Sequence, residues 1–152
     1  MLAIVDLSPP PRCPEQFNLA NYVLEAGHTT PDKIALIVYD SDRPHRYTYA
    51  QLIQAVLGAA TGFHDAGIRA GDCVMMRIGS TVDFPVTFLA LAALDAIPMP
   101  TSVALSQNEI LGLIETTLPA AVIFDLASPL PGFSGLQIDV TQVRAFANHP
   151  PK

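Results

Sequence analysis

Cys73-Val74-Met75-Met76-Arg77-Ile78-Gly79-Ser80-Thr81-Val82-Asp83-Phe84-Pro85-Val86-Thr87-Phe88-Leu89-Ala90-Leu91-Ala92-Ala93-Leu94-Asp95-Ala96-Ile97-Pro98-Met99-Pro100 is the stretch that sets the architecture. Residues 73–78 are a short apolar run ended by the turn Gly79-Ser80, as in a strand covered on both faces. The next segment, about Val82 to Leu94, is apolar nearly all round, which suits a helix buried on both sides. Ala96 to Met99 is again short and extended. Strand, helix and strand in this order require a right-handed crossover between parallel strands.

The same alternation continues toward the C-terminus. Ser106 with Glu109 three residues on has the spacing of a capping box, and Ile110, Leu113 and Ile114 form one apolar stripe behind it. Pro119 ends that helix, and Ala121 to Phe124 reads as another buried strand. Residues 126–134 form a Pro/Gly/Ser loop, 136–140 a final strand and 141–148 a short helix.

Toward the N-terminus, a long amphipathic helix is predicted over about Tyr49 to Ala66, with Thr48 as N-cap, Gly67 as stop and Leu52, Val56, Ala59, Ala60 and Phe63 on one face. Before it, Ile34–Tyr39 and Arg46–Thr48 read as strands around the loop Asp40-Ser41-Asp42-Arg43-Pro44. Asn18 caps a first helix carrying Leu19, Tyr22, Val23 and Ala26, which is expected to stop at Gly27. The fold class is therefore α/β, a mainly parallel sheet with flanking helices. Residues 1–16, with Pro9, Pro10, Pro11 and Pro14, form an extended leader; 17–148 form the α/β unit; 149–152 are a tail.

Half of the 152 residues are apolar and 14% are charged, against roughly 25% in an average soluble domain. Either part of the surface is meant to be covered by a larger protein, or the helices are simply rich in Ala and Leu. The net charge of −6 and the absence of a basic cluster argue against nucleic acid or anionic membranes as partners. The most apolar stretch, Phe84 to Pro100, holds Asp95 and, near its end, Pro98 and Pro100, and is too short and too interrupted to span a bilayer. Cys13 and Cys73 have no metal or redox spacing, which points to reduced thiols in the cytoplasm.

Candidate chemistry is sparse. Gly79-Ser80-Thr81 could seat an anion at a helix start, but an ordinary cap by Ser80 or Thr81 is the expected reading. Asp40, Asp42 and His45 read as a solvated turn rather than a metal site, and Cys73 as a structural thiol. His64 and Asp65, adjacent on a helix, are not expected to work as an acid–base pair. Asp83 and Asp95 are expected to mark the exits of their helix to solvent. Arg77, inside an apolar strand, either pairs with an acid at the strand end or contacts a further part of the protein. No Gly-x-x-x-x-Gly-Lys-Ser/Thr exists, and Lys33 and Lys152 are the only lysines.

Several phrases resemble the N-terminal domain of the adenylate-forming (acyl-activating, AMP-binding) superfamily. Thr30-Pro31-Asp32-Lys33-Ile34-Ala35-Leu36 looks like its opening phrase. Tyr47-Thr48-Tyr49-Ala50-Gln51-Leu52 is similar to its (F/Y)TYxEL phrase, with Gln51 for the usual Glu. Gly67-Ile68-Arg69-Ala70-Gly71-Asp72-Cys73-Val74 is similar to GVxxGDxV, and Ala96-Ile97-Pro98-Met99-Pro100 to AxPVP. Phe84-Pro85-Val86-Thr87-Phe88-Leu89 and Phe17-Asn18-Leu19-Ala20 look most like the benzoate- and aryl-CoA ligase branch. The family's usual Lys-Ala-Gly is replaced by Ala93-Leu94-Asp95, so an Asp must take the helix-stop conformation.

The resemblance implies the N-terminal segment of a ligase using ATP, Mg and CoA on a small carboxylic acid. The phosphate loop, adenine-binding segments and catalytic Lys of that family would follow Lys152. It therefore implies no catalytic, cofactor-binding or metal-binding residue in this segment, no cofactor bound by it alone, and the remainder of the same enzyme as its partner; a homo-oligomer is compatible. A free-standing, non-catalytic α/β interaction module is the alternative.

Overall fold

The computed structural model describes residues 12, 14–39, 43–127, 130 and 132–149. Most of the Pro-rich leader, Cys13, Asp40, Asp42 and the last residues lie outside the described residues.

Helix α1, Leu19–Leu24, starts at Asn18, whose side chain accepts the Asn21 N–H. It passes into a 3₁₀ turn, Glu25–His28, so Gly27 is not the helix stop expected from the sequence. Gly27 is buried, and a Cβ there would lie 2.5 Å from the Ile53 side chain. Close approach is the reason for this glycine. Strands β1, Ile34–Tyr39, and β2, Pro44–Thr48, form a separate antiparallel hairpin.

Helix α2, Tyr49–Ala66, opens with a complete capping box: Thr48 accepts from the Gln51 N–H, and the Gln51 amide oxygen accepts from the Thr48 N–H at 2.9 Å. An amide thus does the work of the usual Glu. Gly67, at φ 110°, ends the helix. The expected face, Leu52, Val56, Ala59, Ala60 and Phe63, is buried in full.

Next come β3, Cys73–Arg77, α3, Asp83–Ala93, and β4, Ile97–Pro100. They are followed by α4, Gln107–Thr117, β5, Ala121–Phe124, β6, Leu136–Asp139, and α5, Val140–Ala147. The four strands form a parallel sheet in the order β4-β3-β5-β6. Asp95 takes φ 56°, the positive-φ conformation that the missing glycine would otherwise supply, and its main-chain oxygen accepts from the Gly71 N–H.

The sheet is covered on both faces, unequally. Val74, Met76, Ala121, Ile123 and Ile138 face a large core shared with α2, α3 and α5. Met75 and Val122 face a small one under α4, where Ile110 is fully buried and Leu113 and Ile114 only half-buried. Enclosing a side chain such as Val56 or Phe63 contributes about 1.5–3 kcal/mol, so the first face carries most of the stability. Helix α5 lies close on α2 because Gly58 lets it: a Cβ there would stand 2.7 Å from the main-chain oxygens of Phe146 and His149.

The outer edge of β4 has a particular character. Ile97 and Thr101 direct their N–H groups at Asp72 and Met76 on the β3 side. Pro98 and Pro100 alternate with them and hold the opposite edge, which therefore offers carbonyls and no donors at those positions.

Candidate functional site

Chain order and strand order together place the crevice. The chain runs from β3 through α3 to β4 on one side, then back through α4 to β5 on the other. Right-handed crossovers put α3 and α4 on opposite faces, and the strand ends of β3 and β5 open between them. Ligands of open parallel sheets lie at such a point.

At these strand ends the hairpin approaches the sheet and leaves a cavity of about 590 Å³. Leu36–Tyr39 of β1 form one wall, Ile78–Thr81 with Phe84 and Pro85 the second, and Thr101–Val103 the third. Among the described residues that line it, the polar side chains are hydroxyls of Tyr39, Ser80, Thr81, Thr101 and Ser102, and none carries a charge. The described lining is partly apolar and partly hydroxyl, and among the described residues it supplies no acid–base pair.

The Gly79–Thr81 turn is neither a phosphate cradle nor the side-chain cap expected from the sequence: Val82 holds the N-cap position of α3, with no side-chain cap hydrogen bond. The Gly79 N–H donates to an Asp125 carboxylate oxygen at 2.9 Å. The Thr81 N–H donates to the Gly79 carbonyl, and the Thr81 hydroxyl accepts the Asp83 N–H at 3.3 Å. Thr81, and not Ser80, makes this local contact two residues on, which is a turn within the loop and not an N-cap. With carboxylates of Asp83 and Asp125 already on this turn, a triphosphate does not fit it.

Asp83 corrects the expectation of a solvent exit. It is 3% exposed and receives Arg144 in a fork, from Nε at 3.0 Å and Nη2 at 2.6 Å. The Thr81 hydroxyl donates to the same carboxylate at 3.0 Å. Asp83 in turn holds the Arg144 guanidinium above its ordinary pKa through these hydrogen bonds and its charge. A second cavity, about 320 Å³, adjoins the pair and is also lined by His45 and Tyr47. Asp95, by contrast, is exposed as expected.

Arg77 is 9% exposed. No ion pair to an acid forms among the described residues; instead Nη2 donates to the carbonyls of Val103 at 3.2 Å and Leu105 at 3.0 Å. Cys73 is a free, half-buried thiol 4.0 Å from the Met99 sulfur. His64 Nδ1 and Asp65 come within 3.8 Å, nearer than adjacent helical positions suggest, with both side chains more than half exposed. His45 stands on β2, whereas Asp40 and Asp42 of the expected solvated turn lie outside the described residues. Among the described residues no cluster of three potential metal ligands forms, and no helix is long and apolar enough to cross a membrane.

Sequence reasoning missed the Asp83–Arg144 fork and the crevice walls. The partners of the fork stand 61 positions apart, with no local pattern linking them.

The profile of a family described as AMP-binding enzyme matches residues 23–149. Over 118 residues, 78% of this chain, the sequence is 30% identical to 4-chlorobenzoate–CoA ligase of Arthrobacter sp. It is 30% identical over 99 residues, 64% of the chain, to 4-coumarate–CoA ligase 4 of Arabidopsis thaliana. The aligned parts are 22% and 17% of those proteins, so the chain spans about a fifth of their length. The Klebsiella oxytoca NpsA N-terminal subdomain, solved in complex with 3-hydroxyanthranilyl-AMSN, has the same fold at a TM-score of 0.77 and 19% identity, covering 89% of this chain and 34% of that one. Acetoacetyl-CoA synthetase from Streptomyces lividans matches at 0.74 and 20%, covering 89% and 25%.

Proposed function

Since the chain belongs to the AMP-binding enzyme family, we propose that it is the N-terminal part of an ATP-dependent acyl- or aryl-CoA ligase, with an aromatic acid as the substrate class. Such an enzyme joins a carboxylate to AMP with release of pyrophosphate, then transfers the acyl group to the CoA thiol with release of AMP. The observation that carries the reading is the 30% identity to a 4-chlorobenzoate–CoA ligase over most of the chain. The phrase Phe84-Pro85-Val86-Thr87-Phe88-Leu89 supports the same branch.

Within that enzyme the segment is a scaffold. It supplies a four-stranded layer and the wall of a crevice. The phosphate loop, Mg, ATP and CoA contacts and the catalytic Lys belong to polypeptide beyond Lys152, and the remainder of the enzyme is the segment's partner. Residues 17–148 act as the α/β unit, and the protein works in the cytoplasm.

Two measurements test this. The reading frame beyond Lys152 is expected to encode a Gly/Ser/Thr-rich loop ending in Pro-Lys within ~30 residues. The complete product is expected to release pyrophosphate from ATP when given benzoate-type acids and to form the CoA thioester. Residues 1–152 alone are expected to do neither. Pyrophosphate release by the short chain would overturn the scaffold assignment; continuous coding without the loop would overturn the ligase assignment in favour of a free-standing module.

A further inference from the structure

We infer that Arg77 is a positioning residue, a buried clamp that fixes the Thr101–Leu105 wall of the crevice and the start of α4. This follows from the geometry of the strand ends and holds whatever reaction the complete polypeptide performs.

Side chains of β3 alternate, so Arg77 lies on the face of Met75, the side covered by α4. The guanidinium of Arg77 is nearly removed from water. Its Nε and Nη1 find no partner among the described residues, and no carboxylate there neutralises it. An apolar chain of similar length would fill the position without that desolvation. The charge is accounted for by what Nη2 holds: the carbonyls of Val103 and Leu105, in a loop that has no strand neighbour.

That loop is fastened to the end of β3 a second time. The Thr101 N–H and hydroxyl both donate to the Met76 carbonyl, at 2.8 and 3.2 Å. Thr101 and Val103 line the crevice, and Leu105 directly precedes Ser106, the N-cap of α4. One side chain therefore sets two things together, the third wall of the crevice and the point where α4 begins.

The test is amide hydrogen exchange on the 152-residue chain and its Arg77→Met and Arg77→Lys variants, with thermal denaturation in parallel. Arg77→Met is expected to speed exchange of residues 103–109 by about tenfold or more. Its unfolding midpoint is expected to stay within ~3 °C of the unsubstituted chain. Arg77→Lys, whose ammonium can reach the same carbonyls, is expected to restore most of the local protection. Unchanged exchange of 103–109 in Arg77→Met would show that Thr101 holds the loop without help. Faster exchange spread evenly over β3, β5 and α4, or failure of Arg77→Met to fold, would make Arg77 general core cement. Either result overturns the assignment.

Discussion

The Asp83–Arg144 fork is unequal in its two halves. Asp83 is almost wholly buried, whereas the Arg144 side chain is 56% exposed. Arg144→Ala leaves a carboxylate in place with one side-chain donor, the Thr81 hydroxyl. The expected loss is about 2 kcal/mol by urea denaturation, below the ~3–5 kcal/mol of a fully enclosed pair because water can reach the vacated space. Asp83→Ala releases an arginine that water can solvate, and is expected to cost about 1 kcal/mol. A larger loss from Asp83→Ala than from Arg144→Ala would show that Asp83 matters chiefly to the first turn of α3. Asp95 and Asp83 also show what a sequence discloses. Asp95 was legible because its conformation answers to its own neighbours, a helix end without glycine. Asp83 was misread as a solvent exit because its partner arrives from α5, through tertiary packing that no local spacing records.

Helix starts carry much of the local order. Glu109 is held below its ordinary value of 4.5, first by the Ser106 hydroxyl. Asp139 is held below 3.8, first by the Thr141 hydroxyl, with Thr141 and Gln142 N–H groups adding to it. Both carboxyls bind protons less readily in the folded chain than in the unfolded one. Their contribution is therefore present above the unfolded values and is lost as pH falls through the depressed folded ones, from about pH 4 downward. Circular-dichroism melts are expected to show a lower midpoint at pH 3 than at pH 5.5, and Ser106→Ala and Thr141→Ala are expected to shrink that difference. At neutral pH, Ser106→Ala is expected to cost about 1 kcal/mol. The α2–α5 contact has its own test: Gly58→Ala drives a methyl group against two main-chain carbonyls and is expected to cost about 1–3 kcal/mol in denaturant melts. Caps and amphipathic faces such as that of α2 were readable because they repeat within one turn of helix. The role of Gly27 was not, since a glycine that ends a helix and one that admits a neighbour look alike in sequence.

The two faces of the sheet differ in how thoroughly they are covered, and the hairpin packs on little besides α2. Ile34, Ile37 and Tyr39 on β1, with Leu19, Tyr22 and Val23 on α1, remain exposed. This exposed apolar surface is expected to bind a dye such as 1-anilinonaphthalene-8-sulfonate in the native state, a signal read by fluorescence. The parallel order was foreseeable from alternating strand and helix signals; the crevice was not, because its walls come from three separated segments. The proline margin of β4 bears on assembly. Strand-by-strand stacking of one copy onto the next would join a β6 rim to a β4 rim, and Pro98 and Pro100 deny that joint its donors. Two copies can still meet β6 to β6, but such a pair is two-fold symmetric and closes on itself. Replacing both prolines by Val is expected to give light scattering that rises with time. Two rings in a four-residue strand thus leave that rim without the donors a further strand would need.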